Sequence, residues 1–224
     1  MIERVSAVAR IATAKRHRRV LLSGPRYARA SRSGVVPCFG RRRQTNLEGF
    51  LFPATYDFLR RTPSSGLVAA QLQAFCENWQ TVDLSYARSK NLTPYDVLKI
   101  ASMVEKEAVA PSERPLVAAV IYNRLHARMP LGIDATLRYG LNIAPTESIL
   151  ESQLQGDNPY NTRKLPGLPP TPIANPGLPS IRAAAHPAKV DYLYFVRKPD
   201  HIHHFFTASE QEFAQYECSH GYGC

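Results

Sequence analysis

The chain is predicted to fold as an α+β domain, and three observations carry that expectation. Thr93-Pro94 and Ser112 are helix-start signals close enough together that the two helices they open are expected to pack as a hairpin or corner. Tyr192-Leu193-Tyr194-Phe195-Val196 is the strongest strand pattern, with a partner expected at 203–206. Neither a βαβ alternation nor an internal repeat is present, so a parallel sheet and a solenoid are both excluded.

Taken in order, residues 1–45 come first, and they are unlike the remainder. They hold twelve of the 28 Lys and Arg residues and one acid, Glu3, whereas residues 46–224 carry 16 basic and 17 acidic side chains. The net charge of +10 therefore belongs to this segment. With no sustained helical or strand period, 1–45 is expected to be an unpacked or mis-assigned basic arm, and 46–224 the folded domain. A transit-type segment, a tail for anionic surfaces and a displaced start all fit such an arm.

Leu47-Glu48-Gly49-Phe50-Leu51-Phe52-Pro53 reads as an extended strand or loop packed on a core. Leu67, Val68, Leu72, Phe75 and Trp79 recur at helical spacing. Thr93 can cap a helix running to about residue 109, because its hydroxyl accepts an orphan N–H and Pro94 lacks one. The helix opened at Ser112 places Val117, Val120, Ile121 and Leu125 along one face to about residue 127. A shorter helix is expected over 146–154. Seven of the 18 prolines fall in 159–179, which predicts an ordered loop if its apolar residues are buried and a linker if they are not. A short helix over 180–185 and a terminal helix over 209–216, with Ser209 and Glu212 as a capping box, complete the chain.

No apolar run approaches the roughly 20 residues of a membrane-spanning helix, and no export signal is evident. The four cysteines, Cys38, Cys76, Cys218 and Cys224, are too few and scattered for a disulfide scaffold and lack metal-site spacing. A small Cys218–Cys224 loop and two free thiols are the alternatives at the C-terminus. His201-Ile202-His203-His204 invites a metal reading, since His201 and His203 would share a strand face. It has no acidic or cysteine neighbours at ligand spacing, and no metal or other cofactor is expected.

The chemically informative segment is Ala101-Ser102-Met103-Val104-Glu105-Lys106-Glu107-Ala108. At 100° per residue Glu105 lies on the edge of the apolar stripe formed by Val97, Ala101, Val104 and Ala108, and Glu107 points the other way. An apolar setting raises a carboxyl pKa, and such a group can donate a proton as a general acid; a helix-edge residue paired with Lys106, Arg124 or Arg128 is the alternative reading of Glu105. Glu107 reads more simply as a solvated residue, and the two cannot form a facing pair.

That string is one of eight that, in order, resemble the catalytic domain of the YceG-like (MltG) endolytic murein transglycosylases. The others are Leu47-Glu48-Gly49-Phe50-Leu51-Phe52-Pro53-Ala54-Thr55-Tyr56, Val120-Ile121-Tyr122-Asn123-Arg124-Leu125, Asp134-Ala135-Thr136, Pro159-Tyr160-Asn161-Thr162, Gly167-Leu168-Pro169-Pro170, Ile173-Ala174-Asn175-Pro176-Gly177 and Ala183-Ala184-Ala185-His186-Pro187-Ala188. The resemblance covers about 46–217. It implies an α+β fold whose helical hairpin carries the catalytic glutamate beside a small sheet. It also implies a lyase that cleaves the β-1,4 bond between N-acetylmuramic acid and N-acetylglucosamine within glycan strands, leaving 1,6-anhydromuramic ends, with Glu105 catalytic by match to the motif.

Asn123, Asp134, Tyr160, Asn161 and Thr162 are the expected substrate contacts, through amides, a carboxylate and an aromatic face; helix-packing or turn-capping roles are the alternatives for Asn123 and Asp134. His186 reads as a structural histidine. The partners implied are peptidoglycan strands and, by family analogy, cell-wall synthases; no nucleic acid is expected to bind the body. Family members are anchored in the plasma membrane facing the wall and carry a LysM-like module. Neither feature is legible here, which leaves localisation open, and Ala54 stands where many members have Asp. The competing expectation is an inactive glycan-binding fragment or a basic-arm binder of anionic surfaces.

Overall fold

A computed structural model describes residues 24–57, 62–144 and 146–222. The chain divides into two compact units, the first comprising Met1–Val82 with Asn175–Leu178 and the second Asp83–Ala174 with Pro179–Cys224. Each is built around its own buried side chains.

In the first unit, helix α1 (Gly24–Ala30) is followed by a short antiparallel pair, β1 (Gly34–Val35) and β2 (Arg43–Gln44), and then by α2 (Ser64–Trp79). Three of these elements lie in the segment expected as a basic arm. Tyr27, Ala28 and Val36 are buried, the Tyr27 hydroxyl donates to Gln71 Oε1 at 2.6 Å, and Cys38 is bonded to Cys76 of α2. Residues 24–45 are thus part of a core, while 1–23 lie outside the described residues. The arginine-rich pattern, without a sustained period, hid this because only a few side chains of the segment face inward, and their partners are tens of residues away.

Aromatic rings fill that core: Phe39 meets Phe50, Phe75 and Trp79, with ring centroids 5.0, 5.9 and 5.1 Å apart. Leu47 to Phe52 form a buried turn rather than a strand. Asn175 Oδ1 accepts the N–H groups of Gly49 and Leu51 at 2.8 and 3.0 Å, and its Nδ2 donates to Glu48 Oε1 at 2.9 Å. Gly49 has φ of 96°, a left-handed backbone that favours glycine.

The second unit opens with α3 (Ser85–Ser89), α4 (Pro94–Glu107), a 3₁₀ turn at Pro111–Glu113 and α5 (Arg114–His126). The α4 start follows the sequence signal. Thr93 Oγ1 accepts the Asp96 N–H at 3.2 Å while Asp96 Oδ2 accepts the Thr93 N–H at 3.0 Å, a reciprocal capping box. Val97, Leu98, Ile100, Ala101, Met103 and Val104 of α4 are buried, as are Val117 to Tyr122 of α5, so the two helices form the packed hairpin expected.

Next come α6 (Asp134–Leu141), a single turn α7 (Glu151–Leu154), α8 (Leu178–Ala185), the antiparallel hairpin of β3 (Tyr194–Arg197) and β4 (His204–Thr207), and α9 (Glu210–Ser219). The helix expected over 146–154 is confined to its last turn. Residues 146–150 are non-helical, and Leu150 N–H is held by Gln153 Oε1 at 2.8 Å. Ser209 caps α9 through Glu212 N–H, but the Glu212 carboxylate accepts from the Thr207 hydroxyl, so half of the expected box forms.

The proline-rich segment is an ordered loop. Ile173 is buried, and its N–H donates to Ser102 Oγ of α4 at 3.0 Å. Tyr160 approaches α6 at Gly140, where an added Cβ would come within 2.8 Å of the Tyr160 Cβ, so a side chain at 140 would displace the loop. Among the described residues no helix is long and apolar enough to cross a membrane. The Cys218–Cys224 expectation involves Cys224, which lies outside the described residues.

Candidate active site

Glu105 and Glu107 stand in the last turn of α4 and bond to different elements. Glu105 Oε2 accepts the hydroxyl of Ser180, on α8, at 2.6 Å, and Ser180 Oγ in turn accepts from Arg114 Nε at 3.1 Å. Glu105 is thereby tied into a polar link between α4, α8 and the start of α5.

Glu107 is in a different setting. Its side chain is turned to α6, where its carboxylate accepts the backbone N–H of Ala135. Burial pushes its carboxyl above the ordinary glutamate range; the charge of Arg197, at the end of β3, pulls it down, and that of Asp134 adds to the rise. The solvated role expected for Glu107 is therefore corrected. The sequence pattern placed it opposite the stripe of α4, but the far side of the helix end is covered by the α6 terminus, which that pattern could not reveal. Arg197 and the Ala135 N–H favour the ionised form, so the carboxyl can both hold a proton and stabilise the charge left when it departs.

The expected substrate contacts separate into two groups. Asp134 lies next to this carboxyl and is ion-paired with Arg163, Nε to Oδ1 2.6 Å, with both side chains nearly half exposed. That pair holds Arg163 above its usual value, chiefly through the hydrogen bond to Asp134. Tyr160 is half-buried, its ring 5.2 Å from that of Tyr139 and its hydroxyl 2.8 Å from Thr171 Oγ1.

The other three are engaged in holding the fold. Asn123 Nδ2 donates to the carbonyls of Val190 and Tyr192, both at 2.9 Å. Asn161 is fully buried, donating to Leu154 O at 2.7 Å and Gly156 O at 3.0 Å and accepting the Arg163 N–H at 3.2 Å. Thr162 Oγ1 accepts the Ile133 N–H at 3.1 Å and pairs with Thr136 Oγ1 at 2.9 Å, also buried. These bonds share one cause: short polar side chains next to loops satisfy buried backbone groups. Thr162→Val should strand the Ile133 N–H and cost about 1–3 kcal/mol in denaturant unfolding, with kcat/KM unchanged.

The histidine cluster does not converge. His201 adopts a left-handed backbone with φ of 58°, outside β4, so it shares no strand face with His203. His203 Nδ1 pairs with Asp200 Oδ2 at 2.8 Å, and buried His204 Nδ1 pairs with Glu113 Oε2 at 2.7 Å. Among the described residues no group of three or more His, Cys, Asp or Glu is arranged to hold a metal ion.

Arg163 and Arg197 were not legible as site residues. The signal that could have pointed to Glu107 is its own position, the last helical residue before the chain turns at Ala108.

Comparison with known proteins places these features in context. The YceG-like family matches residues 2–217, taking in the basic segment that the motif strings left out. An endolytic murein transglycosylase from Bacillus subtilis (strain 168) is 39% identical over 158 residues, covering 68% of this chain and 42% of that protein. Another from Streptococcus pneumoniae (strain ATCC BAA-255 / R6) is 40% identical over 156 residues, covering 67% and 28% respectively. The chain thus spans less than half the length of these curated relatives. A crystal structure of a YceG-like protein, lmo1499 from Listeria monocytogenes, superimposes with a TM-score of 0.71 at 28% identity, over 87% of this chain and 68% of that one.

Proposed function

Since the chain belongs to the YceG-like family, we propose that it performs endolytic cleavage of murein glycan strands as a lyase, with Glu107 as the acid and base. The observation that carries this reading is the half-buried Glu107 carboxyl, raised by burial yet held by the Ala135 N–H and faced by Arg197. A carboxyl that holds its proton above the ordinary glutamate range can donate it to the glycosidic oxygen.

The reaction then balances on that one group. As the muramoyl C1–O bond breaks, the Glu107 proton passes to the departing N-acetylglucosamine oxygen. The muramoyl 6-hydroxyl closes on C1, and its proton returns to the Glu107 carboxylate. A 1,6-anhydro ring forms, no water is consumed, and the acid is regenerated. Arg197 and the Ala135 N–H stabilise the transient carboxylate. Asp134, fixed by Arg163, keeps a negative charge nearby that opposes early ionisation of Glu107.

Asp134 also admits a second reading, since a second carboxylate could activate water and give an ordinary glycosidase. The products decide between them. Incubating the purified chain with isolated sacculi and weighing the released fragments should give 1,6-anhydro ends, lighter by one water than reducing ends. Reducing ends would establish hydrolysis, and no cleavage would leave a glycan-binding fragment.

A further inference from the structure

The second unit contains a cavity of about 550 Å³ that takes no part in the chemistry above. One side is formed by Tyr86 of α3 and by Tyr122 and Asn123 of α5, the other by residues 187–192, which carry Lys189, Asp191 and Tyr192. The volume lies within the usual range for a small-ligand site.

The wall is held in place before any ligand arrives. Asn123 Nδ2 donates to the carbonyls of Val190 and Tyr192, and the Ala188 N–H donates to Pro115 O at 3.0 Å. The amide expected to bind substrate therefore shapes this pocket. The floor is aromatic: the Tyr86 and Tyr122 rings lie 5.5 Å apart at 51°, and Tyr192 stacks on Phe206 at 5.9 Å. Lys189 and Asp191 are exposed on the same wall, and neither enters an ion pair among the described residues.

An aromatic floor below an exposed lysine and an exposed aspartate fits a short peptide bearing both carboxylate and ammonium groups better than a neutral sugar. We propose that this cavity binds the peptide branch of a murein strand, a reading that rests on the proposed substrate. Tyr192 precedes β3, and Arg197, at the far end of β3, faces Glu107. The two are five residue steps apart, on the order of 16 Å if the chain is extended, so one glycan strand can reach the cavity through its peptide while its sugars lie at the carboxyl.

The test is equilibrium binding of the full chain to three probes: a murein disaccharide-peptide, the same disaccharide without peptide, and the free peptide. The wild type should bind the disaccharide-peptide about tenfold more tightly than the bare disaccharide, a difference of roughly 1.4 kcal/mol. Lys189→Glu and Asp191→Lys should each abolish that advantage, while leaving affinity for the bare disaccharide and cleavage of peptide-free strands as in the wild type. Equal wild-type affinity for both disaccharides would overturn the proposal, as would variants that keep the discrimination. Failure of the enzymatic reading is seen separately, as absence of 1,6-anhydro ends from peptide-free strands.

Discussion

Glu107→Gln is expected to lower formation of 1,6-anhydro ends by roughly 10²–10⁴-fold, the usual contribution of a positioned general acid. The amide keeps an oxygen to accept the Ala135 N–H but has no proton to give to the glycosidic oxygen. Glu105→Gln should do much less, because a Gln carbonyl can still accept the Ser180 hydroxyl that Glu105 holds at 2.6 Å. Product formation measured for both variants separates the two assignments. A deep loss in Glu105→Gln with activity retained in Glu107→Gln would return the acid to the residue expected from the sequence.

The same substitution has a stability signature of opposite sign. Because burial raises the folded-state pKa of Glu107 above the ordinary glutamate value of 4.5, the folded chain keeps this proton at pH values where the unfolded chain has released it. Stability therefore falls as pH rises from the ordinary glutamate range to the raised folded value. Glu107→Gln should remove that decline, so its thermal midpoint should exceed that of the wild type at neutral pH and converge with it in acid. Wild-type activity should fall as pH rises through the same raised value, as the acid loses its proton. An unchanged pH dependence of stability in the variant would argue against a buried, proton-holding Glu107.

Replacing both Cys38 and Cys76 by Ser should destabilise the first unit by about 4 kcal/mol if the whole effect is loop-closure entropy for a link across 38 residues. That is a large share of the roughly 5–15 kcal/mol by which domains are stable. The link holds the 3₁₀ turn at Pro37–Phe39 against α2, where Phe39 packs on Phe50, Phe75 and Trp79. Its loss should therefore also increase protease cleavage between residues 24 and 45. Denaturant unfolding of the variant, beside the wild type with and without reductant, measures the effect; a midpoint unmoved in both comparisons would mean that the aromatic cluster alone holds the segment.

How much could be read in advance follows the range of the interactions involved. The start of α4 was legible because Thr93, Pro94 and Asp96 cap it within four residues. The α4–α5 hairpin and the β3–β4 pair were legible for the same reason, since their apolar periods and short connections are local. The eight ordered strings made the family recognisable even though each string is weak alone. That Asn123, Asn161 and Thr162 hydrogen-bond within the fold was not legible, because an amide or hydroxyl looks the same in a sequence whether it meets a sugar or a backbone group.

By itself, then, the sequence determined the α+β class, the helix carrying two glutamates and the family. The tertiary structure decided what surrounds each of those glutamates. The α6 terminus, 27 residues beyond Glu107, supplies the Ala135 N–H, and β3 brings Arg197 to it from 90 residues away. It likewise decided that the basic stretch from residue 24 to 45, whose charge first set it apart, contributes Tyr27 and Val36 to a core and Cys38 to a covalent link. A pKa depends on every charge and dipole near the group and on the water excluded from it, and burial depends on what folds over a side chain. Both are properties of distances through space, which periodicity along a chain does not encode.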